Sequence, residues 1–238
     1  MYEFKFKYQP VVDLDGDVIF FEALIRIYRD DQVVPFLSFY EEVVDWECFD
    51  LFVIDSVVSE MKKLDRPHIV SINITPNTII SPRFLSYIKS IPEDLIDSII
   101  IEITEYHAYP DFDTIRSSMI EMKNIGLRFA LDDFGCIYSC DEALYKLPFD
   151  LVKLSGFYIE NIETDKNKQE LLKIIINKMH KIYKLNIVFE KIESNSELLT
   201  IKKIMKKIKF SNCLFQGFSI EAPYSLTKSK FKLNLSYR

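Results

Sequence analysis

A rhythm of short β-branched runs constrains this chain more than any other feature. Such runs recur at 69–74 (IVSINI), 98–103 (SIIIEI), 128–132 (RFALD), 150–154 (DLVKL), 187–192 (IVFEKI) and 213–218 (CLFQGF). Amphipathic stretches of helical length, such as 111–124, 166–184 and 196–208, lie between most of them. Alternation of this kind builds a parallel sheet with helices outside it. Ahead of it, the alternating residues 3–12, the Asp15-Gly16 turn and the apolar run 18–27 read as a hairpin. Apolar residues at helical spacing follow across 36–64, and the aromatic residues among them read as core. The 238 residues suit an α/β chain forming one (β/α)8-type barrel with an N-terminal β-hairpin; such barrels take about 250 residues. A single domain over 1–238 is expected, since no break in composition divides the chain.

Strands buried on both faces are nearly pure Val, Ile and Leu. Here each carries a polar residue, mostly toward its C-terminal end: Glu22, Asn73, Glu102, Asp132 with Asp133, Lys153, Glu190 and Gln216. Any one of these alone reads as a solvated strand end. A barrel, however, gathers its strand C-termini at one face, where active sites sit, so the set is expected to converge on one cup. Four carboxylates in so small a volume cannot all ionise without compensation. Oxygen ligands with one amide suit hard divalent cations. The adjacent Asp132 and Asp133 fit a pair of cations, an arrangement that serves phosphoester hydrolysis. Lys153 is then placed to orient the attacking water, and Arg26 to bind a phosphate. A barrel glycoside hydrolase working through two carboxylates is a competing reading; the Asp pair, Asn73 and Lys153 fit it less well.

Composition narrows the field further. The five glycines have no spacing that fits a dinucleotide fingerprint, a P-loop or a nucleophile elbow. A net charge of −6 removes a broad nucleic-acid footprint, so no DNA or RNA polymer is expected as partner. The four cysteines are too few and too scattered for a disulfide framework or a zinc site, and the three histidines match no metal spacing. The lysine run 202–209 reads as a solvated helix face. No apolar run is long enough for a membrane span and the first ten residues do not resemble a signal peptide, so a cytoplasmic location is expected.

Read in order, these residues resemble a known family. Glu22-Ala23-Leu24-Ile25-Arg26 is similar to the EALxR signature of the EAL-domain cyclic-di-GMP phosphodiesterases. Asn73-Ile74-Thr75-Pro76 resembles that family's N-x-[ST]-P, Glu102-Ile103-Thr104-Glu105 its E-[LI]-T-E, and Leu131-Asp132-Asp133-Phe134-Gly135, with Tyr138-Ser139, its DDFG loop. Asp150-Leu151-Val152-Lys153 resembles its D-x-[ILV]-K strand, Phe189-Glu190 with Glu193 its A-E-G-V-E segment, and Gln216-Gly217-Phe218 its QG-[FY]. The resemblance covers essentially the whole chain. It implies a modified TIM barrel that opens cyclic di-GMP to linear pGpG with Mg²⁺ or Mn²⁺ at a two-metal site, inhibited by Ca²⁺. It also implies roles: Glu22, Asn73, Glu102, Asp132 and Asp133 as metal ligands, Lys153 and Glu190 as catalytic groups, Arg26 and Gln216 toward the substrate, and Glu105 supporting the loop after the Asp pair. A homodimer contact at that loop is left open.

The departures from the family pattern cluster. Ser155 replaces an aspartate after the lysine strand, Ile137 and Lys191 replace glycines, and Phe189 replaces an alanine. None removes a metal ligand. Changes next to such ligands typically cost about 10–100-fold in metal affinity or activity. An impaired domain acting as a cyclic-di-GMP receptor or a protein-interaction regulator is therefore the alternative expectation.

Overall fold

A computed structural model describes residues 2–64, 68–104, 107–136 and 138–226. Its strands are β1 (Tyr2–Val12), β2 (Val18–Arg29), β3 (Gln32–Val34), β4 (Val70–Ile74), β5 (Ile99–Ile103), β6 (Arg128–Phe134), β7 (Leu151–Leu154), β8 (Asn186–Phe189) and β9 (Cys213–Phe215). They pair in the order β1-β9-β8-β7-β6-β5-β4-β2-β3, and β1 also pairs with β2. The sheet therefore closes into an eight-strand barrel, with β3 as an extra strand on the edge of β2. The strands β2 and β4 to β9 run parallel, and β1 is antiparallel to both of its neighbours. The expected hairpin is thus one antiparallel strand built into the barrel wall. Its turn is fixed by Asp13, whose carboxylate accepts the backbone N–H groups of Asp15 and Asp17 at 2.9 Å.

Two apolar clusters follow from the period-two alternation of side chains on a strand. The larger lies between sheet and helices and includes Ile72, Ile101, Leu131, Val152 and Phe189. The smaller consists of Val11, Phe20, Ile100, Ala130, Leu151 and Val188, with Ile69 and Leu214 against it. These residues plug the barrel lumen. Two positions further along the strands come Glu22, Glu102, Asp132, Lys153, Glu190 and Gln216. The polar residues expected at strand ends are therefore the next inward-facing layer, directly above an apolar floor.

Side-chain caps start the longer helices where the sequence reading placed helical stretches. Asp111, Asp165 and Ser194 each accept a backbone N–H at the helix start, and Ser194 completes a capping box with Glu197. The region 36–64 divides at Asp45, which caps Trp46–Met61 and separates it from the short helix Phe36–Tyr40. The stretch 166–184 is α-helical to Lys178 and then ends in a π-helical turn, Met179–Tyr183. In the basic run, Lys202 turns inward to the Leu14 carbonyl at 3.0 Å instead of facing solvent. No helix among the described residues is long and apolar enough to cross a membrane.

Candidate functional site

Lys153, on β7, is the centre of the polar layer. Its ammonium Nζ lies 2.6 Å from Glu102 Oε2 on β5 and 2.7 Å from Glu190 Oε1, just past β8. It lies 3.0 Å from Asp132 Oδ1 on β6 and 3.2 Å from Glu22 Oε2 on β2. The lysine side chain is 1% exposed and Glu102 is fully buried. Glu22 is further held by Asn73 Nδ2 at 3.0 Å and by Gln216 Nε2 at 2.6 Å. The structure thus brings together Glu22, Asn73, Glu102, Asp132, Lys153, Glu190 and Gln216, as the sequence reading expected.

Asp133 needs a separate explanation, because consecutive strand residues face opposite sides. The β6–β7 pairing slips between Leu131 and Phe134, and Asp133 takes a positive φ of 47°. This bulge turns Asp133 back toward the mouth beside Asp132, the re-aiming that bulges perform near active sites. Ser139 braces the bulge by donating its hydroxyl to the Asp132 carbonyl. Asp133 carries its own counter-ion: Lys191 Nζ lies 3.2 Å from both of its carboxylate oxygens. Gln216 is positioned by Gly217, where any Cβ would meet the Ile192 carbonyl at 2.1 Å. That close approach lets Ile192 donate its N–H to the Gln216 carbonyl at 3.1 Å.

Electrostatically the site holds more negative than positive charge. Burial and repulsion from Glu22 and Asp132 outweigh the pull of Lys153 on Glu102, pushing its carboxyl up to about 8. Asp132 and Glu190 are raised as well, by burial first and then by neighbouring carboxylates, against the attraction of Lys153. Glu22 is lowered: burial opposes its ionisation, but Lys153 and the hydrogen bonds from Gln216 and Asn73 prevail. For Lys153, burial disfavours the charge, yet the carboxylates around it raise its pKa well above the ordinary value. One buried ammonium cannot neutralise four carboxylates, so the cluster retains protons or recruits a cation.

A cleft of about 240 Å³ opens over this layer. Arg26, Asn73, Asp132 and Asp133 line it together with Phe36, Tyr40, Trp46, Phe49 and His107. The aromatic run read as core is therefore partly a cleft wall. Tyr40 and His107 meet across it, hydroxyl to Nε2, at 3.0 Å.

Sequence reasoning passed over three further residues. Gln9 is buried, pairs with Glu22 in the β1–β2 register, and accepts from Gln216 Nε2 at 3.3 Å. Asp50 lines the cleft and accepts from the Thr75 N–H and hydroxyl at 2.9 and 2.7 Å, fixing the turn after Asn73. Lys191, which stands where the family pattern has glycine, places a charge facing Asp133. Ser155 would share the strand face of Lys153 if the strand ran two residues beyond it. The strand ends at Leu154, and Ser155 instead lines a neighbouring cavity with Cys136, Gly156, Glu160 and Lys191; its hydroxyl has no hydrogen-bond partner among the described residues. Glu105 and Ile137 lie outside the described residues.

A family model described as EAL domain matches residues 2–207 of the chain. The cyclic di-GMP phosphodiesterase PdeA of Borreliella burgdorferi is 29% identical over 197 residues, which are 79% of this chain and 27% of that protein. The curated relatives it matches are longer proteins, of which the chain spans about a third or less. Among solved structures, a stand-alone versatile EAL protein of Vibrio cholerae in its c-di-GMP-bound form is 25% identical, with a TM-score of 0.78 and coverage of 94% and 93% of the two chains. An EAL domain protein of Listeria monocytogenes shares the fold with a TM-score of 0.81 at 24% identity, covering 93% of this chain and 88% of that one.

Proposed function

The chain belongs to the EAL domain family, and from that premise we propose that it binds cyclic di-GMP at the barrel mouth and hydrolyses it to linear pGpG. The observation that carries the reading is the buried Lys153 ringed by Glu22, Glu102, Asp132 and Glu190 at 2.6–3.2 Å beneath an Arg26-lined cleft. The Borreliella relative is a phosphodiesterase of that dinucleotide, and the Vibrio protein binds it.

The donor set suits a hard divalent cation such as Mg²⁺ or Mn²⁺. It consists of carboxylates and one amide, and Glu102 Oε1 is buried without a hydrogen-bond partner among the described residues. Among the described residues no ready-made group of metal ligands converges, because Lys153 Nζ fills the centre. Glu22, Asn73, Glu102, Asp132 and Asp133 are the residues that would hold the cations, and Ca²⁺ is expected to oppose activity through its looser geometry. A cation bound there supplies Lewis-acid stabilisation of charge on the phosphodiester. The remaining chemistry belongs to the chain. Arg26 and the aromatic wall orient the dinucleotide. Lys153 holds the carboxylates in one arrangement and directs a water lone pair toward phosphorus. Glu190, held 2.7 Å from Lys153 Nζ at the same mouth, takes the proton of that water at a carboxylate oxygen. An O–P bond forms, the P–O3′ bond breaks, and the 3′ oxygen leaves with a proton, giving a 5′-phosphorylated linear product.

A second reading, a receptor that binds cyclic di-GMP without turning it over, draws on the Lys191–Asp133 contact and the uncharged Ser155. Incubation with cyclic di-GMP and Mg²⁺ or Mn²⁺, followed by chromatography for pGpG, decides between them. Binding without pGpG selects the receptor, and neither binding nor product overturns both.

A further inference from the structure

Lys191 occupies a backbone position that disfavours any side chain. Its φ is 53°, in the left-handed region that glycine takes without strain. A strained residue of this kind persists where its surroundings hold it. Two contacts do so. Ile192, the next residue, is clamped by Gln216 and by Ser219, whose N–H reaches the Ile192 carbonyl at 3.0 Å. The Lys191 stem lies across Gly156, where a Cβ would come within 2.8 Å of Lys191 Cδ and 3.3 Å of its Cβ. Gly156 thus leaves open the path along which the stem runs. At its end the ammonium faces both oxygens of Asp133, whose side chain is only 15% exposed.

We propose that Lys191 is a built-in counter-cation for Asp133 that takes the place of one of the two divalent cations, so that the barrel mouth loads a single cation per chain. The proposal rests on the reading of this layer as a cation site. The first cation is held on the Glu22, Asn73, Glu102 and Asp132 side, where Glu102 Oε1 has no hydrogen-bond partner among the described residues. A second cation at Asp133 would have to enter against a positive charge 3.2 Å from the carboxylate it needs. The Lys191 side chain is 59% exposed, so it can swing into solvent. The effect is therefore a weakened second binding step and not an absolute block.

Mn²⁺ alone is the probe. Bound and free Mn²⁺ are counted by electron paramagnetic resonance for wild type, Lys191→Gly and Lys191→Gln, with thermal unfolding confirming that each is folded. Glycine suits the backbone, and glutamine removes the charge while keeping a side chain. Wild type is expected to bind one Mn²⁺ per chain. Both variants are expected to bind two, the second at least tenfold more tightly than any second ion in wild type. Two comparable Mn²⁺ ions in wild type, or one in all three proteins, overturns the role of Lys191 while leaving the cation site standing. No bound Mn²⁺ in any of them overturns the cation site itself, and the proposal with it.

Discussion

Replacing Lys153 with methionine removes the single positive charge among four buried carboxylates while keeping much of the side-chain volume. Removing one partner of a buried ion pair typically costs about 3–5 kcal/mol, because the remaining charge is left uncompensated. Here four carboxylates lose their common partner at 2.6–3.2 Å. Glu102 already stands at about 8 with the lysine present, so the variant's carboxyls answer by keeping protons, which holds the loss within that range. For a chain of this size each kcal/mol moves the melting temperature by roughly 2–4 °C, so a fall of about 6–20 °C is expected in chelator. The sign with pH follows from the same groups. Carboxyls whose pKa is raised on folding contribute most below their unfolded pKa, and that contribution is lost as pH rises through the folded value. The deficit of Lys153→Met should therefore widen from pH 5 toward pH 8, and added Mg²⁺ or Mn²⁺ should restore part of it. Urea unfolding followed by circular dichroism measures this. A variant within about 0.5 kcal/mol of wild type in chelator at the higher pH would refute the view of Lys153 as the charge that holds the layer together.

Glu22→Ala is expected to abolish pGpG formation. It also leaves the Asn73 donor without its Glu22 acceptor, at about 1–3 kcal/mol, while Gln216 keeps only its longer bond to Gln9; undiminished turnover would remove Glu22 from the site. Burial raises the Asp50 carboxyl from 3.8 to about 6 against hydrogen bonds from Thr75 and Thr78, so its favourable contribution fades as pH rises through that window. Asp50→Asn should accordingly gain on wild type between about pH 4 and pH 7, by up to roughly 3 kcal/mol, and a difference that is flat with pH argues against the shift. Ser155→Asp gives Lys191 a second acceptor in the cavity they share and frees Asp133. It should lower the Mg²⁺ concentration needed for hydrolysis by at most about 10–100-fold, and turnover equal to or slower than wild type at every Mg²⁺ concentration discards the idea.

The layer of polar residues was legible because burial makes it conspicuous. A Glu or Lys two positions beyond a lumen residue such as Ile100 or Leu151 breaks an otherwise aliphatic run, and that period survives in one dimension. The bulge at Asp133 was not legible, since it depends on a register slip between β6 and β7 that no local propensity records. Gln9 lay on a strand whose alternation read as an ordinary hairpin, and only closure of the barrel against β9 brings it to Gln216. The dual use of Phe36, Tyr40 and Trp46 was hidden because a helical apolar stripe looks the same whether it covers a core or a cleft. β3 has three residues, too few to stand out from the turn before it. Ser155 lies one residue past the end of β7, so the period-two alternation of the strand does not decide where it points.

The seam of the barrel gives the molecule an order of assembly. β1 meets β9 through the single pair Val12–Phe215, supported by the mutual backbone bonds of Tyr8 and Tyr224 at 2.7 and 3.0 Å. The partners across this seam are about as far apart in sequence as the described chain allows, and such non-local pairings form late and slowly. A growing polypeptide therefore carries an open sheet with two bare edges until residues 213–224 have left the ribosome. Gln9, Glu22 and Gln216 acquire one another only when the seam shuts. A nascent or truncated chain would then expose an aggregation-prone edge while lacking a finished mouth, so a complete polar layer and protection from misassociation arrive in the same closing step.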